Sequence, residues 1–225
     1  MKNSRKESRD RDIRTALRIR FATRHGADEN AVVVEELPVA GGAARLDMAV
    51  INGRIEGIEI KSSRDTLDRL PRQAALYGPA LDRAVLVLAP EHLDEAVGLI
   101  PDWWSVFSAE MGARGAVRLG RVRQGKVNPA RCARAFLDLL ERDEVVGLLA
   151  GHALDRGVRT AARGDLIERA IRLLPEGIIF GEVRRQLKIR AFLEAKYSGS
   201  AFGGTASGGG VAASTPAFMD ATPAE

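Results

Sequence analysis

The chain has 225 residues, 45% of them apolar and only 5% aromatic, so it can bury one substantial core built mainly from Leu, Val, Ile and Ala. No run approaches the roughly 20 apolar residues that a membrane span needs, and the charged opening MKNSRKESRDRD lacks the apolar stretch of a secretory signal, so a cytoplasmic protein is expected. The single cysteine, Cys132, rules out an internal disulfide and a multi-cysteine zinc site, while a formal charge of +4 and a pI near 9.6 suit a polyanionic partner without demanding one.

Residues 9–25 read as an amphipathic helix, with Ile13, Leu17 and Phe21 at four-residue spacing and arginines on the other faces. Basic residues crowd this end (Lys2, Arg5, Lys6, Arg9, Arg11, Arg14, Arg18, Arg20 and Arg24) and again from Arg114 to Arg134. A short β-branched strand follows at 31–37. Gly41-Gly42 leads to a strand at 45–51, Asn52-Gly53 signals a hairpin, and 54–62 is the return strand. A helical turn is expected at 65–70, with Pro71 opening a helix that runs to Tyr77 and stops at Gly78-Pro79. The continuous apolar run at 84–89 reads as a strand covered on both faces. Residues 91–99 suggest a helix, 100–104 a turn bearing Trp103 and Trp104, and 117–122 an edge strand. After Asn128-Pro129 the pattern turns helical, with segments at 130–142, 143–154, 159–173 and 179–196. The expected organisation is an α/β core over 9–125, a helical subdomain over 126–197, and a disordered Gly/Ser/Ala-rich tail over 198–225.

The hairpin holds the residues with chemistry. Alternation puts Glu59 and Lys61 on one face of their strand and Ile58 and Ile60 on the other. A two-residue turn would mix polar and apolar residues on both faces. Shifting the pairing by one sets Asp47 across from Glu59, Arg45 from Lys61, Leu46 from Ile60 and Met48 from Ile58. That register requires a three-residue turn, or a bulge at Gly57. Two carboxylates so placed repel unless a cation lies between them. Oxygen donors without His or Cys favour Mg²⁺ or Mn²⁺, and Lys61 could position an attacking water or balance charge on a phosphoryl group. An ordinary exposed sheet face with an Asp, Glu and Lys salt-bridge set is the other reading. His25, His92 and His152 are too scattered for a metal set, and Trp103-Trp104 more readily anchors a loop than stacks on bases.

Asp47 followed by Glu59-Ile60-Lys61, in helix-strand-strand-strand-helix-strand order, resembles the core of the PD-(D/E)XK nuclease superfamily. Gln73-Ala-Ala-Leu-Tyr77 is similar to the Q-x-x-x-Y element of its RecB-like branch. The longer pattern through the paired tryptophans resembles a bacterial and phage family within that superfamily. The resemblance implies a restriction-endonuclease-like core and a metal-dependent nuclease acting on DNA. Asp47 and Glu59 would hold Mg²⁺ or Mn²⁺, with the Ile60 carbonyl a further ligand, Lys61 the catalytic lysine, and Gln73 and Tyr77 supporting the site. Glu36 is slightly favoured over Glu35 and Asp12 as an additional acid, and Leu46 replaces the motif's proline. Arg14, Arg18, Arg45, Arg184, Arg185 and Lys188 are candidate nucleic-acid contacts, although the Phe180–Arg190 segment reads equally as a solvated helix face. The competing function is a non-catalytic module that binds DNA or, through its helical part, a protein in a repair, defence or phage complex.

Overall fold

A computed structural model of the chain describes residues 8–25, 31–113, 115–158 and 160–198. It is an α/β protein: a six-stranded mixed sheet flanked by helices, with a helical region at its C-terminal end. The strands β1 (Val32–Val39), β2 (Ala44–Ile51), β3 (Ile55–Lys61), β4 (Arg83–Leu88), β5 (Ser105–Met111) and β6 (Val117–Arg123) lie side by side in chain order. β1 to β3 form an antiparallel meander, β3, β4 and β5 run parallel, and β6 returns antiparallel at the edge. α2 (Leu70–Tyr77) and α3 (Leu93–Leu99) make the two parallel crossovers.

β5 was not anticipated. Its SVFSAEM sequence breaks the apolar pattern with Ser105, Ser108 and Glu110, yet Val106 and Ala109 are fully buried. α4 (Ala133–Leu137) is also far shorter than the helix expected at 130–142. The other helices, α5 (Arg142–Gly151), α6 (Arg163–Leu173) and α7 (Glu176–Ser198), fall close to their expected places. The tail expected to be disordered lies outside the described residues beyond Ser198.

Two apolar layers cover the sheet. α1 (Asp10–His25) lays Ile13, Leu17 and Phe21 on Met48, Val50, Ile58, Ile60, Val85 and Val87, as its four-residue periodicity requires. The opposite face buries Leu37, Leu46, Ile51, Leu86 and Leu88 beneath α2 and the C-terminal helices, whose Phe136, Leu148, Ile167, Val183 and Leu187 belong to the same cluster. Residues 126–197 therefore pack into the sheet's own core. A polar knot fastens them: Asp82, 1% exposed, accepts two hydrogen bonds from Arg184 (3.0 and 2.7 Å), one from Arg131 (2.9 Å) and one from the Ile55 N–H (2.8 Å). Burial alone would raise the Asp82 pKa, but these donors hold it below the ordinary carboxyl value.

The β2–β3 register is the shifted one. Met48 pairs with Ile58 and Ile51 with Ile55, leaving Asn52, Gly53 and Arg54 as a three-residue turn with Gly53 at φ 64°. Gly57 is not bulged; it pairs with Ala49. Its lack of a side chain serves packing instead, because a Cβ there would sit 2.5 Å from the Leu81 Cδ1 atom.

Candidate functional site

The sheet is irregular where its acids are. Glu36 on β1 has φ 55°, a left-handed conformation that costs a non-glycine residue about 1 kcal/mol or more. Val32 and Val34 before it, and Leu37 and Val39 after it, all pack on the same apolar cluster, so strict alternation breaks at Glu36. β2 turns over in the same place: Leu46 joins the layer beneath α2 whereas Met48 faces α1. The expected common face for Leu46 and Met48 is thus corrected. The β2–β3 pairing ends at Met48 and Ile58, and the Asp47 Oδ2 atom accepts the Ile60 N–H at 2.7 Å, taking the part a strand carbonyl would play. Ile60 therefore contributes a backbone donor to the site.

Asp47, Glu59, Lys61, Gln73 and Tyr77 are gathered in one cleft of about 400 Å³, together with Asp10, Glu36, Arg45, Asp65, Arg69 and Arg72. Glu59 is 2% and Lys61 6% exposed. The Lys61 Nζ atom donates to Glu59 Oε1 at 2.8 Å and to Gln73 Oε1 at 2.9 Å, while the Gln73 amide donates to the same Glu59 oxygen at 2.6 Å and to the Tyr77 hydroxyl at 3.0 Å. The Tyr77 hydroxyl lies 2.9 Å from both Glu59 Oε2 and the Arg45 carbonyl, one of which takes its single proton. Burial and the Glu59 charge raise the Tyr77 pKa, so it acts as a neutral donor. Gln73 and Tyr77 reach the same carboxylate because they are one helical turn apart on α2, and Trp104 packs beside the Tyr77 ring at 6.5 Å between centroids. Trp104 is 1% exposed, which fits the reading of the tryptophan pair as a loop anchor.

Arg14 closes the other half of the cluster. Its guanidinium donates to Asp10 (2.6 Å), to the Asp47 carbonyl (2.9 Å) and to Asp47 Oδ1 (2.7 Å), and lies 2.9 Å from Glu36 Oε1. Burial works against its charge, but the bond to Asp10 and the charges of Asp47, Asp10 and Glu36 carry its pKa upward. Even so, the Asp47 carboxyl is pushed up to about 6, first by burial and then by the Glu59 charge, against the Ile60 bond and Arg14.

Several predicted positions take other roles. Arg14, a candidate nucleic-acid contact, is an internal partner of the acids and only 14% exposed at its side chain. Arg184 is likewise committed to Asp82, Arg18 is held by Glu35 through two bonds of 2.7 Å, and Arg185 bonds Glu182 at 2.8 Å. Lys188 is half-buried on α7. Arg45 stays 66% exposed at the rim, paired with Glu36 at 2.6 Å. Of the three extra acids, Glu36 lines the cleft; Glu35 is turned to Arg18, and Asp12 lies beside Arg11. His92 has a ring nitrogen 3.1 Å from the Ser62 carbonyl, His152 lies 3.7 Å from Glu182, and the His25 side chain is outside the described residues. Cys132 is exposed. Sequence reasoning missed Asp10, Asp65, Arg69 and Arg72. The i,i+4 pair of Asp10 and Arg14 carried a usable signal, since it marks a charged stripe on α1.

Among the described residues no set of three or more His, Cys, Asp or Glu side chains is arranged to hold a metal ion. Mg²⁺ does not require one, because it keeps several waters and binds through one or two carboxylates. Asp47 and Glu59 offer hard oxygens whose existing hydrogen bonds use only part of their acceptor capacity. Their donor chemistry fits that ion.

The fold and site define an α/β protein with a carboxylate, lysine and glutamine cluster at the end of a β-hairpin. Residues 4–197 match the family described as Bacteriophage P4 protein cII, and the chain belongs to that family. It is 26% identical over 141 residues to protein cII of Enterobacteria phage P4, a match covering 63% of this chain and about half (53%) of that relative's length. A solved structure of a protein of unknown function from Silicibacter pomeroyi shares 23% identity, with 69% of this chain and 88% of that one covered and a TM-score of 0.36. Among the described residues no helix is long and apolar enough to cross a membrane.

Proposed function

We propose that the protein is a metal-dependent nuclease hydrolysing phosphodiester bonds in DNA, built on a restriction-endonuclease-like core of the PD-(D/E)XK type. The observation that carries this reading is the hydrogen-bonded cluster of Glu59, Lys61, Gln73 and Tyr77 from β3 and α2, with Asp47 of β2 lining the same cleft and tied to β3 through the Ile60 N–H. The element order α1-β1-β2-β3-α2-β4 is consistent with it.

Asp47 and Glu59 would hold Mg²⁺ or Mn²⁺, which when bound supplies Lewis-acid polarisation of a phosphoryl oxygen and acidifies water. Lys61, fixed between Glu59 and Gln73, points a cation at the place where water adds to phosphorus and charge builds on the phosphoryl oxygens. Gln73 sets the lysine's position and Tyr77 holds the far oxygen of Glu59, so neither group reorganises during attack. The P–O bond to the leaving sugar oxygen then breaks and that oxygen takes a proton. Arg45, Arg69 and Arg72 at the cleft are the groups best placed to neutralise backbone phosphates.

One observation favours a second reading. Arg14 already supplies a positive charge to Asp10, Glu36 and Asp47, as it would in a nuclease-like module that binds DNA without turnover. Cleavage assays on linear, circular, single-stranded and branched DNA, in Mg²⁺, Mn²⁺ or EDTA, separate the two. Metal-dependent products that disappear in a folded Lys61→Ala variant support the nuclease. Intact DNA on every substrate, with salt-dependent but metal-indifferent binding, supports the module.

A further inference from the structure

The geometry points to a second site, an anion-binding cleft for a phosphate group, at the other end of β3 from the acidic cluster. Arg20 of α1, Arg83 at the start of β4 and Arg121 of β6 line one small cleft of about 90 Å³, together with Ser105, Phe107 and Gln124. Three elements distant in sequence thus bring three guanidinium groups to one place, and none can shed its proton.

Their surroundings leave that charge unanswered. The Arg20 guanidinium lies over the Phe107 ring at 4.9 Å, and Arg121 donates to the Gln124 side-chain oxygen at 2.7 Å, so both are oriented by neutral groups. Arg83 is half-buried and has neither an ion-pair nor a hydrogen-bond partner among the described residues. The one carboxylate in the cleft, Glu56, neighbours Arg83 in the β3–β4 register, yet forms no ion pair with it. By contrast, three half-buried arginines elsewhere are matched with acids: Arg14 with Asp47, Arg184 with Asp82 and Arg190 with Glu144. The cleft instead keeps a net positive charge after Glu56 is counted.

A tetrahedral oxyanion fits this chemistry, because guanidinium forks bind phosphate oxygens bidentately and Gln124 adds a neutral polar group. The space is far below the roughly 300–1,000 Å³ of a site that encloses a whole small molecule. It accepts a single anionic group, carried either by a nucleic-acid backbone or by a free phosphate compound. The site stands apart from the acidic cleft and does not depend on hydrolysis there.

The test is calorimetric titration of the full chain with inorganic phosphate, with ionic strength held constant by chloride. Saturable binding is expected, weakened about tenfold or more in Arg83→Gln and in Arg121→Gln, the loss of one charge-assisted bond. Arg118→Gln, which removes the same charge from a side chain outside the cleft, is expected to bind within about twofold of the parent. Should Arg83→Gln fail to fold, Arg121→Gln on the exposed edge strand carries the test alone. A single-stranded oligonucleotide that displaces phosphate identifies the backbone as the source. An oligonucleotide that does not compete assigns the site to a small phosphate compound. Absence of saturable phosphate binding, or equal weakening in Arg118→Gln, overturns the proposal.

Discussion

Replacing Asp47 with Asn should stabilise the fold at neutral and alkaline pH, and the size of the gain follows from the carboxyl's surroundings. Its pKa is pushed up from 3.8 to about 6, with burial the larger cause and the Glu59 charge the second. A native pKa above the unfolded value means that the folded state holds the proton more tightly. The ionised group therefore opposes folding fully above pH 6, and the penalty disappears as the pH falls below 3.8. The interval between the two values corresponds to about 3 kcal/mol. Asparagine imitates the neutral acid and keeps an acceptor for the Ile60 N–H. At pH 8 in EDTA the variant should thus melt higher by about 6–12 °C, given the roughly 2–4 °C per kcal/mol of a chain this long. The difference should shrink between pH 6 and 4 and vanish below. Circular-dichroism melts of both proteins across that range provide the assay. A variant less stable than its parent at pH 8, or a gain equal at pH 8 and pH 4, would refute the electrostatic argument.

Two further substitutions probe the scaffold. Gly57→Ala forces a methyl group against Leu81 and should cost about 1–3 kcal/mol in urea denaturation; a Leu81→Ala background should relieve much of the loss, and additive losses would show that the contact is not the cause. Arg184→Met leaves Asp82 buried with Arg131 as its remaining guanidinium partner and should cost about 3–5 kcal/mol. Because the Asp82 pKa is lowered in the fold, the stability it brings is present above the ordinary carboxyl value and fades as the pH drops through the native one. The parent and variant should therefore converge in acid, and a gap independent of pH would contradict the ion-pair reading.

The hairpin register was legible because only one pairing separates the apolar Met48 and Ile58 from the charged Glu59 and Lys61. Gln73 and Tyr77 were legible for a similar reason, since a four-residue interval on a helix fixes a common face. The turnover at Glu36 was not. It depends on a positive φ at a residue that gives no glycine signal, and it reverses Leu46 relative to Met48. β5 escaped because Ser108 is buried on a sheet face normally marked by apolar residues, and the bonds of Arg14 to Asp47 and of Arg184 to Asp82 escaped because those acids are distant in sequence. Charge composition identifies arginines; only tertiary structure separates those that face solvent from those consumed by buried carboxylates.

That distinction bears on the chemistry of the cleft. Arg14 draws together acids from α1, β1 and β2, whereas the one acid paired with Lys61 is Glu59, so the cluster has two cationic halves meeting between Asp47 and Glu59. If Arg14 satisfied the acids fully, the Asp47 pKa would be depressed, as that of Asp82 is beneath its own arginines. It is raised instead: burial and the neighbouring Glu59 outweigh the guanidinium and the Ile60 donor. The pair thus retains a demand for positive charge at their shared boundary, between carboxylate oxygens that still have acceptor capacity. A cleft built only to bind would gain stability by losing this repulsion. A divalent cation bound beside a lysine held by Gln73 would meet that demand, which is what the proposed hydrolytic site requires.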